Sequence, residues 1–329
     1  MAHRQRVANP MAPAIWAYFL VCLLSTLVHW TGRDAIVSIG QMALYLILAV
    51  KFFSCFTTDR RQIFTAMYGL IASTTFVALV IIALRRDAVF GVHKNATGTF
   101  LSYTVIMLAE LWLLAASGRR PRKWLNILLA INVAGLVMST SRGAWLGSVM
   151  GLTLLMLCRR QFGLFMRAAC VMIPAILACW FLMPQSQRDY AMHFGGDARN
   201  IESRVDTISF FAHEFIRSPV IGVGVGLRKE HDSTNVIMST LAETGVLGLI
   251  AFLAIQVSFF WAVFRAMRWV QRSDPDFSIL VVGAALVLCL FCHGTVDHYW
   301  SRTQLPVWGM AGAAIAVAYR RRGGHATRL

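Results

Sequence analysis

Apolar residues fall in long blocks along the chain, and short arginine-rich segments separate them. The blocks cover about 13–30, 35–56, 63–84, 99–116, 124–139, 144–158, 168–183, 241–264, 277–292 and 304–319. Each is long enough, or nearly so, to cross roughly 30 Å of hydrocarbon as a helix. Lipid cannot satisfy an open sheet edge, and no β-barrel alternation is visible, so helices are predicted. The expected fold is all-α: a polytopic transmembrane bundle of about ten spans. Residues 1–183 would hold the first seven spans, 184–240 one large loop, and 241–329 the last three spans and a tail, as one integral membrane unit. Arg4 and Arg6 precede the first block without a clear small-residue cleavage site, so that block reads as a retained span.

Inside the large loop the periodicity changes. Val205, Ile208, Phe211, Ala212, Phe215 and Ile216 fall on one stripe, which predicts an amphipathic helix over Ile201–Pro219. Asn200 reads as its N-cap and Pro219 as its stop. This helix would either lie on the bilayer and roof a site or pack on the bundle; the two are compatible. Gly222, Gly224 and Gly226 then read as a flexible turn region, since no strand–helix context makes them a dinucleotide fingerprint.

Composition sharpens the class. Apolar residues make up 57% and charged residues 14%, with a mean hydropathy of +0.61, against roughly 45–50% and 25% in a soluble domain. That excludes a soluble globular enzyme, a disordered chain and a small disulfide scaffold. The 31 Lys and Arg against 15 Asp and Glu give +16. In a membrane protein this excess marks the cytoplasmic loops rather than a nucleic-acid partner. Alternate connections carry Arg60/Arg61, Arg119/Arg120/Arg122/Lys123, Arg159/Arg160/Arg167, Arg265/Arg268/Arg272 and Arg320–Arg322. The pattern predicts both termini inside and the large loop outside. All seven cysteines lie in or at the ends of apolar blocks, which implies neither a disulfide framework nor a zinc site.

The outer face therefore carries the candidate chemistry. Arg142 stands in Ser139-Thr140-Ser141-Arg142-Gly143, between two blocks with almost no room for a loop. A cation at that depth is costly unless it snorkels to headgroups or binds an anion in a wet cavity; the hydroxyls around it favour the anion. Arg85 and Arg86 open an outer loop, as a ligand site or an interfacial charge cluster. Arg204 begins the loop helix and could grip a phosphate bidentately or pair with Glu202 or Asp206. His231 and Asn235 precede the eighth block, and Glu243 lies near its start, where a packing and positioning role is preferred. Glu110, in mid-span, would be buried against a polar partner. The group His293, Asp297 and His298 could ligate a metal, but pairing with an arginine is preferred because no other span supplies matching ligands.

Taken in order, several segments resemble the O-antigen ligase/polymerase superfamily of bacterial envelope glycosyltransferases. They are Ser139-Thr-Ser-Arg142-Gly-Ala-Trp-Leu-Gly147, the helix from Ser203-Arg204 to Pro219, Ile221-Gly-Val-Gly-Val-Gly226, and Asn235 to Glu243-Thr-Gly245-Val-Leu-Gly248. The resemblance covers about residues 85–305. It implies transfer of a glycan from an undecaprenyl-pyrophosphate carrier to an acceptor hydroxyl at the periplasmic face of the inner membrane. In ligases the acceptor is lipid A–core; in polymerases it is a second lipid-linked glycan. Arg142 and Arg204, with Arg86, would bind the donor pyrophosphate, and Asn235, Glu243 and Asp297 would support the site. Thr234 stands where the family's loop histidine usually falls; either His231, three residues earlier, takes the acceptor proton, or another group does, or the general base matters less in this branch. About ten spans is fewer than the dozen common in the ligases. No cofactor, metal or nucleotide is expected, since the polyprenyl diphosphate is itself activated and no P-loop is present. The class most distinct from this is a transporter of a lipid-linked glycan or anionic solute; no inverted repeat supports it.

Overall fold

In the computed structural model of the chain, every element among the described residues is helical. These residues are 9–56, 59–117, 123–163, 166, 170, 173, 174, 176, 177, 180, 181, 183–192, 198–231, 235–297, 299 and 303–326. In chain order the helices are α1 (Ala12–Val28), α2 (Arg33–Met42), α3 (Val50–Phe56), α4 (Arg60–Leu84), α5 (Lys94–Ser117), α6 (Lys123–Met138) and α7 (Arg142–Arg159). They continue as α8 (Gln185–Met192), α9 (Ala198–Arg217), α10 (Leu227–Glu230), α11 (Val236–Met267), α12 (Pro275–Gly294) and α13 (Gln304–Ala326). A π-wound stretch, Ala43–Ala49, joins α2 to α3 without a break in direction of the chain.

Among the described residues, five helical stretches are long and apolar enough to cross a membrane: Arg33–Cys55, Arg60–Leu84, Lys94–Ala115, Val236–Met267 and Pro275–Gly294. α1 and α6 are shorter apolar helices. α7 and α13 occupy the blocks at 144–158 and 304–319, and the block at 168–183 falls largely outside the described residues.

The chain divides into two units that interleave along the sequence. The first comprises Met1–Thr58, Asp197–Trp269 and Gly294–Leu329. In it α1 and α9 both pack along α11, and α13 packs against α3 and α11. Many of its outward side chains are apolar: Leu27 is 79% exposed and Val257 67%. Such a surface suits hydrocarbon and not water.

The second unit comprises Asp59–Gly196 and Val270–His293. α5 is its axis, packed by α4, α6 and α7 and buried over most of its length. Ala78, Ile81, Leu101, Val105, Leu136 and Ala144 form the centre of the core. α7 meets α12 through two small residues four apart, Gly147 and Gly151. A Cβ on Gly147 would stand 2.7 Å from the Cys289 carbonyl oxygen, and one on Gly151 3.0 Å from that of Ala285. Glycine here lets two backbones touch, which is how membrane helices gain dispersion contacts without a hydrophobic driving force.

Glu110 has the polar partner expected for it. Arg159, itself 2% exposed, forms a two-pronged ion pair with the fully buried Glu110 carboxylate. The same guanidinium donates to the Ser278 hydroxyl at 2.8 Å and to the Arg272 carbonyl, and lies 4.9 Å above the Phe277 ring. Arg159 is therefore no solvated flanking charge, as its place in an arginine-rich connection suggested. Its neighbour in that role, Arg60, pairs with Asp276 at 2.6 Å and Asp274 at 3.4 Å.

Candidate functional site

The turn between α6 and α7 shows why Arg142 has so little loop around it. α6 ends at Met138, Thr140 takes a left-handed conformation (φ 51°), and Ser141 is the N-cap of α7. A β-branched residue in that region costs about 1–3 kcal/mol and persists only when its surroundings hold it. Here they do. The Ser139 hydroxyl donates to the Leu136 carbonyl at 2.7 Å, and the Trp145 indole N–H donates to that same carbonyl at 2.8 Å. Gly98 of α5 closes over the turn so tightly that a Cβ there would lie 2.7 Å from the Ser141 Cβ. The hydroxyls of Thr140 and Ser141 are buried and find no hydrogen-bond partner among the described residues. Arg142 is half-buried at the first position of α7. The turn thus offers a cation, unsatisfied hydroxyls and the positive end of a helix dipole, a combination that suits an anion.

In the same unit, Arg86 is exposed on the loop after α4. In that loop Asp87 faces Lys94 at 4.0 Å, and Arg85, in a left-handed C-terminal position, accepts a hydrogen bond from Gln187 at 3.1 Å. His293, near the end of α12, is buried with its Nε2 3.3 Å from the Thr99 hydroxyl.

The other candidates belong to the first unit. Arg204 lies in the first half of α9; its side chain is outside the described residues, as is Thr234. α9 begins at Ala198 and ends at Arg217, so Asn200 is inside the helix rather than its N-cap, and the helix stops before Pro219. The predicted stripe also divides. Phe211 is buried, whereas Val205, Ile208 and Ile216 are 58%, 42% and 73% exposed. Periodicity locates an apolar face but not what covers each part of it. His231 is exposed and stacks on Phe210 of α9, with ring centroids 3.8 Å apart.

Asn235 is the N-cap of α11. Its Oδ1 accepts from the N–H groups of Ile237 (2.9 Å) and Met238 (3.1 Å), and its Nδ2 donates to the Thr295 carbonyl at 3.1 Å. This ties the start of α11 to the loop that carries the half-buried Asp297. Glu243 is wholly buried and forms an ion pair with Arg228. One of its oxygens accepts from the backbone N–H groups of Gly226 (3.1 Å) and Arg228 (2.9 Å) and from the Arg228 Nε (3.0 Å). Arg228 was not foreseen. Its only signal was the rule that a carboxylate inside a membrane helix needs a cation at its own depth.

The glycine segment is not the flexible turn expected from sequence. Gly222, Gly224 and Gly226 have φ of 76°, 104° and 119°, and a Cβ on Gly224 would stand 2.2 Å from the His29 carbonyl oxygen. α11 is broken at Gly245 (φ 65°, ψ −169°). Around the break the segment pairs with the helix backbone: Val223 donates to Ala242, Gly224 to Glu243, Val246 to Pro219 and Leu247 to Val220. The Ser25 hydroxyl joins in, donating to the Glu243 carbonyl at 2.6 Å and accepting from the Gly224 N–H at 3.0 Å. The glycines are needed because backbone meets backbone on both sides.

Among the described residues, several helices long and apolar enough to span a bilayer mark a multi-pass membrane protein. Residues 125–253 match the family model described as O-antigen ligase. The likeness to the O-antigen ligase/polymerase superfamily is thereby shown over that stretch. The stretch runs from α6 into α11 and contains Arg142, Arg204, His231, Asn235 and Glu243; Arg86 and Asp297 lie outside it. Among curated proteins, none matches the chain.

Proposed function

We propose that the protein is a glycosyltransferase of the bacterial inner membrane. It moves a glycan from an undecaprenyl-pyrophosphate carrier to an acceptor hydroxyl on the periplasmic side, with lipid A–core as acceptor in the manner of an O-antigen ligase. The observation that carries this reading is the Ser139–Arg142 turn, inside the matched family segment, where a half-buried arginine follows two buried hydroxyls that have no partner among the described residues. About ten spans, with both termini in the cytoplasm, belong to the same reading.

The chemistry is a substitution at the anomeric carbon. The acceptor oxygen attacks, the bond from the anomeric carbon to the diphosphate oxygen breaks, and undecaprenyl diphosphate departs with the bonding pair. Negative charge grows on the leaving oxygens, and fixed guanidinium groups in a partly dry site stabilise it as it grows. Arg142 and Arg204 are assigned this role, with Arg86 as an outer contact. His231 takes the acceptor proton, a contribution of about 10²–10⁴-fold. Asn235, Glu243 and Asp297 position the segments around it.

The test is glycan analysis of a deletion strain carrying plasmid-borne variants. Loss of long chains from lipid A–core, with lipid-linked polymer retained, is the expected result. Accumulation of single repeat units would make the protein a polymerase. Normal product from both Arg142→Ala and Arg204→Ala, at wild-type protein level, would refute the site. Solute uptake in vesicles with no covalent product would assign a transporter.

A further inference from the structure

α6 and α7 follow one another through a three-residue turn, yet they scarcely touch; each packs instead on α5. They splay from the Ser139–Ser141 turn, and the gap between them is a cavity of about 390 Å³. Its walls are apolar apart from Ser148. On α7 it runs from Trp145 to Leu155, eleven residues or about 15 Å of helix. Val105 and Trp112 of α5 form the back, Leu129 and Leu136 of α6 one side, and Trp180 part of the cover. The cavity is therefore a slot parallel to the helices. Trp145 lies one turn beyond Arg142, so the slot begins where the cationic turn ends.

An apolar slot whose lining includes Leu136, Val137 and Trp145, on either side of the Ser139–Arg142 turn, fits an amphiphile with a charged head and a hydrocarbon tail. We infer that the slot between α6 and α7 holds the head-proximal isoprene units of a polyprenyl diphosphate whose phosphates lie at Arg142. This rests on the function proposed above and adds the place where the carrier's tail is held. The wall chemistry favours an isoprenoid over a saturated acyl chain. Three indoles, those of Trp112, Trp145 and Trp180, line it. A methyl-branched unsaturated chain has fewer free torsions to lose against such walls than a linear one. Seating the tail here fixes the diphosphate at the turn before the sugar reacts, which is an orientation effect.

The test uses the purified full chain in detergent, with farnesyl diphosphate as probe and native mass spectrometry as readout. Farnesyl diphosphate binds the wild-type protein, inorganic pyrophosphate does not, and phosphatidylglycerol fails to displace it. Ala109→Trp and Leu152→Trp, which fill the slot, weaken binding at least tenfold. A diazirine-bearing farnesyl diphosphate is then photolysed with the wild-type protein, so that the result does not depend on the variants folding. Labelled peptides fall within 105–113, 129–137 and 145–155. Labelling elsewhere, undiminished binding by a folded slot-filled variant, or equal displacement by phosphatidylglycerol overturns the inference. If the slot is labelled but the deletion strain retains normal glycans, the slot stands and the proposed reaction falls. If transfer is confirmed but the label lies elsewhere, only the slot falls.

Discussion

The carboxylate of Glu243 holds Arg228 in a fully buried ion pair and at the same time caps two backbone N–H groups of the segment that leads to it. One side chain thus fixes both a charge and a loop. Removing either partner leaves the other buried and uncompensated, at a cost of about 3–5 kcal/mol. Glu243→Ala and Arg228→Ala should each lower the melting temperature in detergent sharply. The double variant Arg228→Met/Glu243→Leu should melt above either single one. If the double is worse than both singles, the two side chains are not coupled as a pair.

A parallel test applies to Glu110 and Arg159. The arginine fork meets the carboxylate with two nitrogens and also reaches Ser278 and the Arg272 carbonyl. Lysine carries the charge but not the fork. Arg159→Lys should therefore recover only a minor part of the stability that Arg159→Ala loses, as read by thermal unfolding of the detergent-solubilised protein.

Gly224→Ala forces a Cβ to within 2.2 Å of the His29 carbonyl oxygen at φ 104°. A loss on the order of 1–3 kcal/mol is expected. Gly40 is a control, since nothing lies within 4 Å of its added Cβ. Gly40→Ala should be neutral or stabilising by roughly 0.5–1 kcal/mol. Equal effects at the two sites would contradict the tight packing of the glycine segment.

Arg142→Ala should lower product formation by about 10²–10³-fold, as expected for loss of one preorganised donor to a developing anion. Protein level and melting temperature should stay near wild type, because Arg142 is only half-buried. A fall in both activity and folded protein would mark Arg142 as structural. In vitro transfer with a lipid-linked donor separates the outcomes.

His231→Ala should reduce transfer by about 10²–10⁴-fold if the imidazole takes the acceptor proton. Phe210→Ala, which removes the ring on which His231 stacks, should reduce it less. Equal activity in His231→Ala and wild type would leave the proton to another group.

Much of the fold was written in block lengths. The blocks at 63–84 and 277–292 became α4 and α12, and the abrupt junction near 140 became the Ser139–Ser141 turn. Local signals could go no further than local structure. The partners of Glu110 and Glu243 were invisible because Arg159 is 49 residues away from Glu110 and Arg228 is 15 from Glu243, and no helical periodicity spans such distances. The loop helix was foreseen from its stripe, but only packing decided that Phe211 is covered while Ile216 is not. The glycines announced a turn; their positive φ values arise from what they are pressed against, His29 and Glu243.

The break at Gly245 has a bearing on biogenesis. An interrupted helix would present bare amide and carbonyl groups to hydrocarbon, at several kcal/mol for each one left unsatisfied. Residues 219–224 supply the missing partners, and they precede the helix in the chain. The upper turns of α11 are therefore not a self-sufficient insertion signal: they can settle into the bilayer only together with that preceding segment. An insertion of even one residue between Pro219 and Gly224 would throw these donors and acceptors out of step and leave backbone groups at the break unpaired.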